Sequence, residues 1–393
     1  MNTLTHRRSA GSTALLFGII LIAANLRAPF TGLPPLLGAV QVDFGLSTTA
    51  IGALTTLPLL AFALVSPYSA RLAREYGLER TLFGALAAIA LGIALRSSGA
   101  LWSLYVGTGI IGVGIAIGNV LLPSVVKRDF PHNVASLTGA YALAMGVAAA
   151  LGSAMIVPMA HAAGWKSALA VFLVLPLVAM AVWTPQLSVR TKSVSSTAGP
   201  AREGKIWHSA LAWQVTLFLG LNSTIYYAAV GWLPAILTDA GMPADHAGSL
   251  HGVLQLATAV PGVLIGPILS RLRDQRLLAA VVAGFSAVAL LGLMALPQFA
   301  LAWSILFGIG TGAGIILGLS FIGLRTHNAH QAAALSGMSQ CIGYLLAAAG
   351  PMAMGMLRDA LGSWRVPLGL CAILALAAVF MGFLAGRERH VDA

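Results

Sequence analysis

Apolar runs of about 18 residues or more, each long enough to cross a bilayer as a helix, recur twelve times. They fall at roughly 13–37, 49–70, 81–97, 101–126, 135–159, 167–185, 208–237, 246–270, 277–297, 300–323, 332–356 and 366–386. Polar residues between them form short clusters, so the pattern predicts an all-α membrane protein of twelve transmembrane helices. The longest polar stretch, Ser188 to Lys205 (SVRTKSVSSTAGPAREGK), divides six spans from six. The expected organisation is a six-helix bundle over residues 1–187, a cytoplasmic linker over 188–207 and a second six-helix bundle over 208–393.

The two halves repeat. Gly112, Gly114 and Gly118 fall on Gly312, Gly314 and Gly318 when the sequence is slid by 200 positions. Pro67, Arg71 and Leu72 fall on Pro267, Arg271 and Leu272 by the same shift. A repeat of six spans keeps its orientation, so the bundles are related by an axis along the membrane normal, and solute binding at their interface is the mechanism this plan makes available. Gly107-x-Gly109-x-x-Gly112 spells a dinucleotide fingerprint, but it lacks a preceding strand and its acidic partner. Small residues at this spacing serve close helix packing instead.

Composition agrees with the pattern: 58% of residues are hydrophobic and 8% charged, far from the roughly 25% charged content of soluble domains. The net charge of +11 would suggest nucleic acid in a soluble chain, but 17 of the 22 Lys and Arg residues lie on one side of the expected spans. Arg96, Lys166, Arg358 and Arg365 lie on the other, and Arg27 lies between. By the positive-inside rule both termini are cytoplasmic, which excludes a nucleic-acid partner and leaves a small-molecule substrate and the lipid bilayer. Cys341 and Cys371 fall within apolar helices and behave as small hydrophobes.

Arg27 is the charge this reading buries in hydrocarbon. About fourteen apolar or small residues precede it, placing it about 20 Å into a bilayer some 30 Å thick. The cost runs from roughly 3 to more than 10 kcal/mol, so an anion or a wet cavity must compensate. All eleven acids fall in expected loops or termini. Either Arg27 faces the cavity and binds an anionic or strongly polar solute, or it donates to backbone carbonyls and amide side chains that hold the bundles together. Pro29, Pro34 and Pro35 predict a kink beside it, and Asn25 and Thr31 extend the polar patch.

Further polar positions fall on helix faces. His251, Gln255 and Thr258 share one face of the eighth span, and His251 is the candidate for proton coupling; its other reading is a hydrogen-bonded interhelical histidine. Asn222 and Tyr226 in the seventh span, and Gln340 and Tyr344 in the eleventh, stand one turn apart and either line a cavity or join helices. Asn119 and Tyr141 are single polar signals in the fourth and fifth spans. The aromatics look too scattered to form a cage. No nucleophile, base and acid share a depth, and no His and acid cluster has metal-ligand spacing, so neither an enzyme nor a cofactor is expected.

With these residues in hand, the chain resembles the cyanate permease branch of the major facilitator superfamily. The resemblance rests on NLRAPFTG (Asn25 to Gly32), LTTLPLLAFALVSP (Leu54 to Pro67), GNVLLPSVVKRDFPH (Gly118 to His132), GWLPAIL (Gly231 to Leu237), AGSLHGVLQLATA (Ala247 to Ala259) and AHQAAALSGM (Ala329 to Met338). It departs from the superfamily's usual GxLADRxGRR loop at Leu72 to Gly77, where Arg74 and Glu75 replace the expected Asp and Arg. The resemblance implies the major facilitator fold, a place in the bacterial inner membrane and alternating-access transport of a small polar solute; a monomer is expected. A 2-nitroimidazole-type exporter comes first and a cyanate or other small-anion importer second. A non-transporting membrane sensor would require a soluble signalling module outside the spans.

Overall fold

The computed structural model describes residues 2–130, 133–188, 203–269, 271–327 and 329–391. Among these residues the chain is built of helices and contains no strand. The first pass comprises α1 (Asn2–Asn25), α2 (Ala28–Thr31), a 3-10 turn at Pro34–Leu36 and α3 (Leu37–Phe44). Then come α4 (Thr48–Tyr76), α5 (Leu78–Arg96), α6 (Leu101–Asp129), α7 (Val134–Val171) and α8 (Val174–Trp183). The second half contains α9 (Ala210–Asp239), α10 (Ala244–Ala259), α11 (Pro261–Leu269), α12 (Arg276–Ala295), α13 (Ala300–Leu324), α14 (Ala329–Leu361) and α15 (Arg365–Ala385).

Nine stretches among the described residues are long and apolar enough to cross a membrane by length and composition. One of them, Ser136–Leu187, is 52 residues long, and α7 turns within it at Gly164, whose φ of 78° is a left-handed value that suits glycine. It therefore makes two passes. α9 carries the polar run Asn222-Ser223-Thr224, and α10 and α11 are separated by a break before Pro261, so each pass reads as less apolar or too short. Counted as passes, the helices number twelve among the described residues, as the hydrophobic pattern predicts. Residues 189–202 of the expected linker lie outside the described residues.

The kink expected in the first pass is a full break. Leu26 and Arg27 leave the helix, Arg27 having φ −125° and ψ −50°, and the prolines that follow lack the amide hydrogens needed to continue a helical ladder. Another expectation needs correcting. Asp43, Glu75, Glu79, Asp129, Asp239, Asp245 and Asp359 stand in helix end turns rather than in loops, and Glu79, in the first turn of α5, is buried and paired with Arg128 at 2.6 Å. It lies at a helix end, where a carboxylate suits the positive pole of the dipole, and it does not line the cavity that holds Arg27.

The repeat survives in the packing. A methyl group on Gly112 would strike Pro58 of α4, and one on Gly312 would strike Thr258 of α10. Gly118 likewise meets Leu26 and Gly318 meets Leu219. Gly112 and Gly118 thus mark the same crossings as Gly312 and Gly318, whereas Gly114 packs on Ala85 and Ile89 of α5 and Gly314 on Asn222 of α9.

The halves meet along two seams, α4 against α14 and α7 against α10. Away from the termini both seams are tight. Added methyls would lie 2.9 Å from the Pro351 carbonyl at Gly52, 2.6 Å from the Thr48 carbonyl at Gly355 and 2.7 Å from the Ala150 carbonyl at Gly252. There Asp359 of α14 also caps α4 from the other half, accepting from the Thr48 and Thr49 amides at 3.0 and 2.6 Å. Toward the end that carries the first residues of α7 and α14, Gly139 and Gly337 have nothing among the described residues within 4 Å of an added methyl. The halves are closed at the far end and parted at the terminal end.

These crossings generate a stability test. Gly312→Val should cost about 1–3 kcal/mol by overpacking, whereas Gly109→Ala, in the other half just before the repeated motif and facing open space, should be neutral or slightly stabilising. Thermal unfolding in detergent reads both. Equal losses in the two variants would contradict the packing assignment.

Candidate functional site

The break in the first pass places Arg27 where the halves part. Its side chain is half-buried and lines a cavity of about 410 Å³ together with Phe30, Phe62, Asn119, Gln340 and Tyr344. A side chamber of about 140 Å³, lined by Arg27, Gln255 and Thr258, continues from the same guanidinium. Among the described residues, no acid lines either space.

Five rings gather around this arginine. Phe30 meets Tyr227 edge-on at 5.8 Å, Phe62 meets Tyr344 at 5.5 Å, and Tyr226 meets Tyr227 at 5.0 Å. The Arg27 guanidinium stands 5.3 Å from the centre of the Tyr226 ring. This corrects the expectation that the aromatics are too scattered to form a cage. They come from four separate helices, and only the fold assembles them.

Arg27 is also one end of a polar chain that crosses between the halves and returns. Its Nη1 donates to the Tyr226 hydroxyl, which donates to Gln255 Oε1 at 2.9 Å. Gln255 Nε2 reaches His251 Nε2 at 3.3 Å, and His251 Nδ1 reaches Ser153 Oγ of α7 at 2.9 Å. Ser153 Oγ donates to the Thr31 carbonyl at 2.9 Å, and Thr31 Oγ1 donates to the Arg27 carbonyl at 3.1 Å. The hydrogen-bond directions set the histidine tautomer. Because Ser153 gives its hydrogen to Thr31, it accepts from His251 Nδ1–H, which leaves Nε2 to accept from Gln255. Both His251 and Gln255 are fully buried, where a satisfied network of this kind fixes one arrangement of its members.

The expected site residues thus divide. Arg27, Asn119, Gln340 and Tyr344 line the main cavity, and Gln255 lines the side chamber. Tyr226 and His251 are buried links in the chain behind them. Asn25 donates to the Leu21 carbonyl of its own helix at 2.8 Å, and Asn222 ties α9 to α13 through the Thr311 carbonyl at 3.0 Å. Thr31 serves the broken backbone, and Tyr141 lies half-buried on α7 outside both linings.

The structure also corrects the placement of Arg96. The pattern of spans puts it outside the membrane on the far side, but it ends α5 with 1% of its surface exposed and donates to the Pro29 carbonyl at 2.7 Å. Its position inside the apolar run 81–97, in LGIALR, is the signal that could have found it. Arg27 is therefore not the sole arginine in the interior. Phe30, Phe62 and Tyr227 escape sequence reasoning for a different reason: apolar and aromatic positions look alike along a membrane helix.

Comparison with known proteins identifies relatives of the chain. Residues 15–348 match the family model for the Major Facilitator Superfamily. The chain is 54% identical to the 2-nitroimidazole transporter of Escherichia coli (strain K12), with 96% of each chain covered. It is 28% identical to the cyanate transport protein CynX of the same organism, with 93% of this chain and 96% of that one covered. The crystal structure of a D-xylose-proton symporter superimposes with a TM-score of 0.78 at 12% identity, covering 94% of this chain and 97% of that one.

Substitution at the cavity arginine separates binding from scaffolding. Removing a hydrogen bond to a charged group is worth about 1.5–3 kcal/mol, so Arg27→Ala should lower solute flux by roughly 10- to 100-fold while membrane insertion stays intact. Arg27→Lys should keep part of the flux, since the charge remains and the planar fork is lost. Solute counterflow in proteoliposomes reads both, and wild-type flux through Arg27→Ala would refute the assignment.

Proposed function

The chain belongs to the Major Facilitator Superfamily and is a membrane transporter rather than an enzyme, and from its cavity we propose that it exports a 2-nitroimidazole-type solute by alternating access. The observation that carries this reading is Arg27 beside five aromatic rings, in a cavity between the halves whose described lining holds no acid. A flat heteroaromatic ring suits the edges and faces of Phe30, Phe62, Tyr227 and Tyr344. Its nitro oxygens accept from the guanidinium donors that Tyr226 does not engage.

By the positive-inside rule the end bearing the termini is cytoplasmic, so the open cavity faces inward, in a monomer of the bacterial inner membrane. Solute enters between the parted ends of α4, α7, α11 and α14 and reaches Arg27. Closure there, with separation of Asp359 from α4 at the far end, then presents it to the other side.

A second reading has its own support. An interior arginine with no acid beside it among the described residues offers a positive field to a small anion, and one relative is a cyanate transport protein. Cyanate or another small anion would then be imported through the same cavity. Counterflow in proteoliposomes with 2-nitroimidazole and with cyanate, with and without a pH gradient, decides between the two and reports the coupling ion. Exchange of 2-nitroimidazole is the expected result. Exchange of cyanate alone would favour the anion reading, and exchange of neither would refute both.

His251 is the proposed coupling residue. Neutral, it accepts from Gln255 at Nε2. Protonated there, it sets one donor against another, so the Gln255 amide must turn and its Oε1 leaves the Tyr226 hydroxyl. The other titratable groups in the chain are Tyr226 and Arg27, and among the described residues no carboxylate joins it. A proton is thereby felt at the solute arginine. His251→Gln should flatten the pH dependence of counterflow. An unchanged profile would leave His251 as a structural link alone.

A further inference from the structure

Arg96 approaches the break in the first pass from the side opposite the cavity. Its Nη1 is held by the Pro29 carbonyl at 2.7 Å, but Nε and Nη2 have no acceptor among the described residues. The side chain borders a void of about 10 Å³ lined by Phe30, Pro34, Thr55, Thr108, Tyr227 and Gly231. That volume is close to what one water molecule requires.

The walls of this void give it a direction. Phe30 and Tyr227 line both the void and the Arg27 cavity, and their edge-to-face contact at 5.8 Å partitions the two. On its other side Pro34 also lines a depression of about 460 Å³ bounded by Pro35, Trp165 and Pro234. In sequence of walls, the order is the Arg27 cavity, the Phe30–Tyr227 pair, the Arg96 void, Pro34 and then the far-end depression. Thr55 and Pro58 belong to α4 and Gly231 to α9, so the void lies between helices of opposite halves and must widen when their far ends part.

We propose that Arg96 is a second solute-anchoring site, closed in this state and opened toward the far end in the alternate one. It takes the same class of ligand as Arg27: a compact, flat solute with an anionic or nitro acceptor. The solute is handed from Arg27 past the Phe30–Tyr227 pair to the free donors of Arg96. Two cations on successive sides of one partition give the solute an acceptor-matched site in each conformation, and the partition keeps the two from being wet at once. This assignment rests on the transporter reading above.

Two measurements test it. The first requires no solute: Thr108→Cys, in a background with Cys341→Ala and Cys371→Ala, is treated in oriented proteoliposomes with a small membrane-impermeant methanethiosulfonate. Modification from the far face alone is expected. A thiol at position 108 that stays inert, or is modified only from the face bearing the termini, would overturn the proposal whatever the protein carries.

The second compares half-saturation for 2-nitroimidazole from each face in wild type, Arg96→Gln and Arg96→Lys. For the Gln variant a rise of about tenfold or more from the far face is expected, as for a lost hydrogen bond to a charged group, with less than about a twofold change from the other. The Lys variant should fall between and keeps the test available where Gln does not fold. Equal changes on both faces, or none, would overturn the proposal, the latter being what a guanidinium satisfied by Pro29 and one trapped water gives. Wild type that carries no 2-nitroimidazole would refute the exporter reading, and the thiol modification of Thr108→Cys would still decide this one.

Discussion

An arginine inside a bilayer must be given acceptors, and much of this structure follows from that requirement. Among the described residues no acid lines the cavity at Arg27, so neutral groups share the task. The chain breaks at Leu26 and Arg27, and the backbone carbonyls of the broken stretch are then satisfied in turn by Thr31, Ser153 and Arg96. Tyr226 takes one guanidinium hydrogen and leaves others directed at the cavity. A site that is stable yet incomplete is what reversible binding of a polar solute calls for, since full internal satisfaction would remove the reason to bind.

Small residues decide which end of the seam is closed. Gly52, Gly252 and Gly355 let backbones of opposite halves approach until an added methyl would have no room, whereas Gly139 and Gly337 face open space. The far-end seal is further held by one carboxylate, Asp359, acting as a helix cap across the interface. A cap of this kind is worth on the order of 1 kcal/mol, strong enough to favour one state and weak enough to be released. The polar chain through His251 crosses the other seam, α7 against α10. Rearrangement of the halves and rearrangement around Arg27 are thus physically linked rather than separate events.

The passes, their number and the duplication were legible because membrane helices announce themselves by length and hydropathy, and because the glycine spacing repeats at a shift of 200. The interior position of Arg27 was legible for the same reason: a charge within such a run is conspicuous. Arg96 was not, because an arginine at the last residue of a run reads equally as a loop cation. Whether a polar residue faces the cavity or a neighbour could not be read from helical spacing either. Gln340 and Tyr344 line the cavity whereas Asn222 and Tyr226, with the same spacing, turn to α13 and to Gln255. The aromatic cluster required four helices to converge, and helix rotation is set by tertiary packing rather than by periodicity.

The central claim is that the solute supplies the acceptor that the protein withholds from Arg27. The nitro group of bound 2-nitroimidazole reports on this directly through its infrared stretching bands. In wild-type protein the asymmetric band should move to lower frequency on binding, as for an oxygen accepting from a guanidinium, and Arg27→Lys should give a smaller displacement. A bound nitro band identical in the two proteins would contradict the account, because the solute would then be held without the arginine around which the cavity is built.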